Sequence, residues 1–256
     1  MKIIAIIPAR MASSRFPGKP MAKIHNTPMI GHCYVRSIMS KNLSDCYVAT
    51  PDKIINNYIK SIGGKSILTS HKHKMCNDRV IEAVKKIEKI NRIKYDIIVN
   101  IQGDLPMIFP EMIDNLVKPL ILNNKIKSST MADEINNLQD FIDPNRVKVL
   151  LDLNNNAILL TREPVPSRFK YKKNYKKFKH VAIRAYKRDI FLKLKKLKMT
   201  PHEKIEGIDD LRLLENDIKI NVVLTKRITE TVDTKQDLRK VIKMMKNDKL
   251  MKKYSY

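Results

Sequence analysis

The residues best able to do chemistry lie near the start of the chain. Between residues 3 and 21, the aliphatic run Ile-Ile-Ala-Ile-Ile ends at Pro8. It gives way to a loop that carries Arg10, Arg15 and Lys19 among Ala9, Ala12, Ser13, Ser14 and Gly18. Small residues let a backbone approach a ligand closely and turn its N–H groups toward it. Arginine offers phosphate oxygens a planar fork, and lysine a point charge. Cations on such a loop can neutralise a polyphosphate, and that charge is needed most as a pyrophosphate leaves. The spacing matches neither GxGxxG nor GxxxxGK[ST]. Taken alone, the loop reads as an anion-binding segment or as a surface loop with ordinary cations. Asp104, in Gln102-Gly103-Asp104 after an apolar run, and Asp233, after a second apolar run and a loop, are the carboxylates that follow strand-like segments.

These residues need elements to position them. Apolar runs at 2–7, 45–49, 66–68 and 96–101 predict strands, and helical spacing predicts helices over 28–39, 51–62, 78–90 and 110–122, the second stopped by Gly63-Gly64. Strands and helices alternating in this way imply right-handed βαβ units and a parallel sheet covered on both faces. Ligands of such sheets bind beyond the carboxyl ends of the strands, which is where the loop after Pro8 and the turn at Asp104 must emerge. After residue 125 the rhythm changes. Strands are expected at 128–131, 147–152, 157–161, 180–186 and 219–224, with Asn154-Asn155-Asn156 as a hairpin turn. Helices are expected at 188–196, 202–216 and 234–246. Neither repeats nor a linker is evident. The expectation is one α/β domain over 1–256, a Rossmann-like, mostly parallel sheet flanked by helices, with an antiparallel insertion over about 125–200.

At 256 residues and 43% hydrophobic content the chain can bury a full core. No apolar run is long enough to cross a bilayer, and no secretory leader is expected, because Pro8 and Arg10 interrupt the first apolar run. Cys33, Cys46 and Cys76 form no CxxC pair, which points to a reducing cytoplasm and to neither a zinc site nor a disulfide framework. The net charge of +25 is spread along the chain and looks like a general drift toward Lys. Its one dense run, over 170–179 with aromatics interleaved, has the chemistry of a nucleic-acid patch, but a solvated loop or hairpin is the reading expected of it.

Five segments add a family resemblance. Residues 7–20, Ile-Pro-Ala-Arg-Met-Ala-Ser-Ser-Arg-Phe-Pro-Gly-Lys-Pro, resemble the signature loop of the sugar-activating nucleotidyltransferases, and within them the 3-deoxy-manno-octulosonate (Kdo) cytidylyltransferases. Val-Asn-Ile-Gln-Gly-Asp-Leu-Pro at 99–106 resembles that family's VNxQGDxP. Asn-Arg-Val-Lys-Val at 145–149 resembles its PNxVKVV. The stretch at 201–212 is similar to its PxExxExLEQLR, and Val-Asp-Thr-Lys-Gln-Asp-Leu at 232–238 to its VDTxxDL. The segments come in the family's order and span nearly the whole chain.

The resemblance implies attack of a sugar's anomeric hydroxyl on the α-phosphorus of CTP with release of pyrophosphate, serving lipopolysaccharide or surface-glycan synthesis, in a homodimer whose contact lies near the insertion. It implies Arg10, Lys19 and Asp104 as catalytic residues, and Ala9, Arg10, Ser13, Arg15, Lys19, Asp78 and Arg79 as nucleotide-binding. It implies Mg²⁺ held by Asp104 and Asp233, where the alternatives are a turn cap before Pro106 and a helix N-cap at Asp233 or Thr234. For the acidic 2-keto sugar it implies Gln102, Arg162, His180, Tyr186 and Glu206. His180 could instead be structural, and Glu206 part of an ion pair on a long helix with Glu203 and Arg212. The chain departs from the family at Met75-Cys76-Asn77, at Ala182-Ile183-Arg184 and at Asp209-Asp210, near the expected base and sugar sites. Cys76 reads as a packing residue, since no base partner is identifiable. An 8-amino-Kdo, sialic or legionaminic type of acceptor therefore stays open. So does a nucleic-acid-binding or non-catalytic scaffold, although neither a membrane nor a nucleic acid is the expected partner.

Overall fold

A computed structural model describes residues 1–254 other than 14, 74, 168 and 170–174, so residues 170–174 of the basic run lie outside the described residues. The chain forms two compact units, 1–114 with 228–256, and 115–227. The expected insertion over about 125–200 falls in the second.

The first unit opens with β1 (Ile3–Pro8). A small ribbon, β2 (Lys23–Ile24) and β3 (Thr27–Pro28), leads into α1 (Met29–Ile38). Then come β4 (Asp45–Thr50), α2 (Lys53–Ser61), β5 (Ser66–Leu68), α3 (Cys76–Asn91), β6 (Ile97–Ile101) and α4 (Pro110–Leu122). The strands pair in the order β6-β1-β4-β5, all parallel, with Ile3 opposite Ile97 and Ile4 opposite Asp45. Helices on both faces explain why Ile3 to Ile7 and Ile97 to Ile101 are almost wholly buried; a strand covered twice needs no polar alternation.

Within α4 the chain passes into the second unit. There it forms β7 (Ser128–Glu134), α5 (Leu138–Ile142), β8 (Lys148–Leu151), β9 (Ala157–Thr161), β10 (Phe178–Lys187), α6 (Arg188–Leu194), α7 (Pro201–Glu206), α8 (Leu211–Leu214) and β11 (Asn221–Thr225). β7 pairs parallel with β11 and antiparallel with β10, while β8 and β9 form a hairpin whose β8 joins β10. The parallel sheet flanked by helices, with antiparallel strands in the second half, is the α/β class expected. The single helix expected over 202–216 is corrected to α7 and α8. Gly207 takes up a left-handed φ of 64° and ends α7, and the following turn directs the Asp210 carboxylate onto Arg184 at 2.7 Å.

The chain returns to the first unit as α9 (Lys235–Met245) and a closing 3₁₀ turn at Met251–Lys253. This end of the chain is clamped to α1. Arg36 is fully buried, with its guanidinium over the rings of Phe109 and Tyr254. Its Nη2 donates to Asp248 at 2.7 Å and its Nε to the Tyr254 hydroxyl at 2.8 Å. His32 Nε2 donates to the Ile24 carbonyl, so its Nδ1 accepts from Tyr254. Burial holds the imidazole neutral, lowered to about 4.

For Asp248, burial opposes ionisation, but the Arg36 hydrogen bond and the backbone N–H groups of Met251 and Leu250 outweigh it, and the carboxyl lies below its ordinary value. The pair's stabilisation is therefore complete above the ordinary carboxylate range and is lost as pH falls below it. Asp248→Ala strands a buried cation. It is expected to lower unfolding free energy by about 3 kcal/mol in denaturant titrations at pH 7, and by progressively less as the pH is brought down below 4.

Candidate active site

The loop after β1 is pinned at both ends. Ala9 N–H donates to the Ala49 carbonyl, and Met11 N–H to the Asp52 carboxylate at 2.8 Å. Asp52 occupies the N-cap position of α2, yet its side chain caps no α2 amide; it is spent on the loop. Further on, Gly18 has a φ of 74° and its N–H returns to the Met11 carbonyl, closing the loop onto itself. Ser13 N–H bonds the same carbonyl. A second glycine controls the opposite wall. A Cβ on Gly103 would stand 2.8 Å from the Pro8 carbonyl oxygen, so only glycine lets the turn before Asp104 pack against the end of β1.

The geometry converges on Lys19. Its Nζ donates to Asp104 Oδ2 at 2.7 Å, to the Val232 carbonyl at 2.8 Å and to Asp233 Oδ1 at 3.4 Å, which engages all three ammonium protons. Arg15 Nη2 reaches the same Asp233 oxygen at 2.9 Å. Two carboxylates at the ends of separate segments thus share two cations. The N-cap of α9 is Thr234, in a capping box with Asp237, which leaves the Asp233 carboxylate to the cluster. Arg10 is exposed and makes no hydrogen bond or ion pair with any described residue.

Pro8, Ala9, Arg10, Ser13, Arg15, Lys19, Gln102 and Asp104 line a cleft of about 290 Å³, together with His73, Met75, Cys76 and Arg79 from the turn that starts α3. Arg79 is 3% exposed; its Nη1 donates to Thr69 Oγ1 at 2.6 Å and to the Ser70 carbonyl at 3.2 Å. Burial, with Arg10 nearby, holds its guanidinium below the ordinary value. It braces the turn and also faces the cleft. Gln102 Nε2 donates to Cys76 Sγ at 3.3 Å, and Asn100 Nδ2 to Asn77 Oδ1 at 3.1 Å, so the departing residues at 76 and 77 are tied to β6. Asp78 lies in the first turn of α3 and is not among the lining residues. Sequence reasoning missed Asp52 and the Val232 carbonyl. The first could have been suspected from an aspartate just before a helix; the second carries no side-chain signal.

The other acceptor candidates belong to the second unit. Arg162 donates from Nε to the Glu206 carbonyl at 2.7 Å and from its backbone N–H to the Glu206 carboxylate at 2.8 Å, and Thr161 Oγ1 donates to the remaining carboxylate oxygen at 2.6 Å. Glu203, on α7, pairs with Arg212 on α8. His180 Nε2 lies 2.6 Å from Thr130 Oγ1 and 3.5 Å from Asp210; since Thr130 donates to the Ile183 carbonyl, the imidazole is the donor. Burial holds His180 down at about 4 despite Asp210. Tyr186 is buried against Phe191.

Residues 4–220 match the family described as cytidylyltransferase. The 3-deoxy-manno-octulosonate cytidylyltransferase of Thermodesulfovibrio yellowstonii is 42% identical over 245 residues, covering 93% of this chain and 96% of that protein. Its namesake from Fusobacterium nucleatum is 38% identical over 250 residues, covering 98% and 99%. Among solved structures, a CMP:2-keto-3-deoxy-manno-octonic acid synthetase complexed with CTP superposes with a TM-score of 0.88 at 31% identity, covering 96% of this chain and 98% of that one. A 4-diphosphocytidyl-2C-methyl-D-erythritol synthase from Anaerococcus prevotii, at 13% identity and a TM-score of 0.65, shares the fold. The signature loop, the paired carboxylates Asp104 and Asp233 and these full-length relatives agree: this chain belongs to the cytidylyltransferase family, among the 3-deoxy-manno-octulosonate cytidylyltransferases.

Proposed function

We propose that the chain transfers CMP from CTP to the anomeric hydroxyl of Kdo, releasing pyrophosphate and supplying an activated sugar acid for lipopolysaccharide or another surface glycan. The observation that carries this reading is the cleft at the end of β1, where Lys19 joins two carboxylates beneath a loop of small residues. The anomeric oxygen forms its bond to the α-phosphorus as the bond from that phosphorus to the bridging oxygen breaks. The hydroxyl proton passes to solvent, and the electron pair leaves with pyrophosphate. Such a transfer needs alignment and charge neutralisation more than covalent help. Arg10, exposed and without a partner among the described residues, is a cation available to an arriving triphosphate, with Ser13 and the Ala9 backbone beside it. Arg15 and Lys19 follow the charge onto the leaving pyrophosphate.

Asp104 and Asp233 fit a divalent ion: both reach one cation position, now held by Lys19 Nζ. Mg²⁺ characteristically takes one or two carboxylates and completes its shell with phosphates and water. Bound there, it would screen the triphosphate and the developing pyrophosphate charge. Gln102, in the cleft, and Arg162, His180, Tyr186 and Glu206, in the second unit, are assigned to the sugar acid on the strength of their motifs. His180 is neutral and its one N–H is given to Thr130, so what it can offer a sugar hydroxyl is Nδ1 as an acceptor. Arg184 and Asp210, two of the departures from the family pattern, cancel one another's charge. This favours Kdo over an acceptor of altered charge.

No helix among the described residues is long and apolar enough to cross a membrane. We place the reaction in the cytoplasm, a setting that suits three free cysteines. We also infer a homodimer: Leu153 and Ile158, on the β8–β9 hairpin, are 103% and 56% exposed, which a partner copy would cover.

With CTP, Mg²⁺ and a panel of Kdo, 8-amino-Kdo and a sialic acid, pyrophosphate release is expected with Kdo; no release with any sugar acid sinks the reading. Asp104→Asn should lower kcat/KM by about a hundredfold or more while leaving the circular dichroism unchanged. Lys19→Met should bind Mn²⁺ more tightly than the native protein when nucleotide is absent, as read by electron paramagnetic resonance, because no ammonium competes for the carboxylates. Ile158→Glu should halve the mass seen in sedimentation.

A further inference from the structure

The three segments that carry the charge cluster share one apolar anchor. Phe16 lies between Arg15 and Lys19, Met107 just beyond Asp104, and Val232 immediately before Asp233. All three side chains are buried in a single cluster with Val241 and Met245 of α9 and with Met251 of the closing turn. The backbone repeats the connection. Lys19 N–H donates to the Phe16 carbonyl at 3.2 Å, Val232 N–H donates to the Asp104 carbonyl at 2.9 Å, and the Val232 carbonyl accepts from Lys19 Nζ. Phe16, Val241, Met245 and Met251 are not among the residues that line the cleft.

We propose that Phe16 is a positioning residue for cytidylyl transfer, and that α9 and the closing turn are the platform on which it seats the cationic loop over the two carboxylates. Phe16 is the one buried side chain among the described residues of the loop between Met11 and Lys19. Without it the described residues from Ala12 to Phe16 are left to polar ties, the Ser13 N–H on the Met11 carbonyl and the exposed Arg15–Asp233 pair among them, and the cations lose their fixed distance from Asp104 and Asp233. A misplacement of about 1 Å in such a site can cost a hundredfold in rate. The helix α9 thus belongs to the positioning apparatus although none of its residues lines the cleft. The proposal rests on the transfer reading for its kinetic consequence but not for its structural one, and the test separates them.

Four variants would be compared with the native full-length chain: Phe16→Ala, Phe16→Leu, Met245→Ala and, as a cavity of similar kind elsewhere in the first unit, Ile87→Ala. Four quantities would be read: the thermal midpoint, the KM for CTP, its dissociation constant, and the rate of tryptic cleavage after Arg10 and Arg15. Phe16→Ala and Met245→Ala should raise KM and the CTP dissociation constant about tenfold and speed loop cleavage well beyond Ile87→Ala at a matched loss of thermal midpoint. Phe16→Leu should restore most of both. If Ile87→Ala moves all four readouts as far as the other two, Phe16 is a core residue only and the proposal fails. If Phe16→Ala does not fold, Met245→Ala and Phe16→Leu carry the same comparison. Native protein that binds no CTP overturns the transfer reading, while the cleavage rates still decide the seating of the loop.

Discussion

One ammonium held between two carboxylates organises the first unit. Lys19 cannot reach Asp104, Asp233 and the Val232 carbonyl together unless three chain segments, distant in sequence, end at one place. The parallel sheet brings two of them there, because β1 and β6 finish on a common rim, and the third arrives just before α9. With Arg15 included, two positive and two negative groups balance. A partly buried cluster of this kind tolerates like charges only because each has an opposite partner within hydrogen-bonding distance. A cluster so arranged is poised for exchange: phosphates can take the cations and a divalent ion the carboxylates, with little change in net local charge.

The surrounding backbone is built to keep that rim closed. Gly18 turns the loop back to Met11, Asp52 holds its near end, and Gly103 lets the Asp104 turn approach the carbonyl of Pro8. Each is a different physical answer to one requirement, that a loop rich in small residues stay ordered. Glycine at position 103 answers it through steric absence, Asp52 through a carboxylate accepting a backbone amide, and Phe16 through burial in the apolar cluster.

Much of this was legible in the sequence, for local reasons. The β5 and β9 strands and α4 run over the residues expected, because a short apolar run or a helical stripe is encoded within its own span. The loop cations and Asp104 were legible because both follow buried strands directly. What could not be read depends on partners far along the chain. Ile205, Ile208, Leu211 and Leu214 have helical spacing, yet Ile205 is 80% exposed and Gly207 breaks the stripe. The break lies at the left-handed Gly207, and beyond it Asp210, with a helical backbone of its own, pairs with Arg184 from a distant strand. Asp52 looks like an ordinary cap until Met11 is seen beside it.

The same long-range pairing reinterprets the departures from the family pattern. Read one at a time, an arginine in the β10 strand and an aspartate after Gly207 suggest a changed acceptor pocket. Side by side they form a buried ion pair, in which the strong attraction offsets the cost of removing both charges from water. Breaking either half would strand its partner, so the two positions are physically one change. The same holds at the start of α3, where Cys76 and Asn77 are absorbed by Gln102 and Asn100. A substitution whose new group is satisfied by another new or neighbouring group leaves little unspent chemistry to read a different ligand. The departures therefore speak more to how this chain packs its walls than to which molecules it admits.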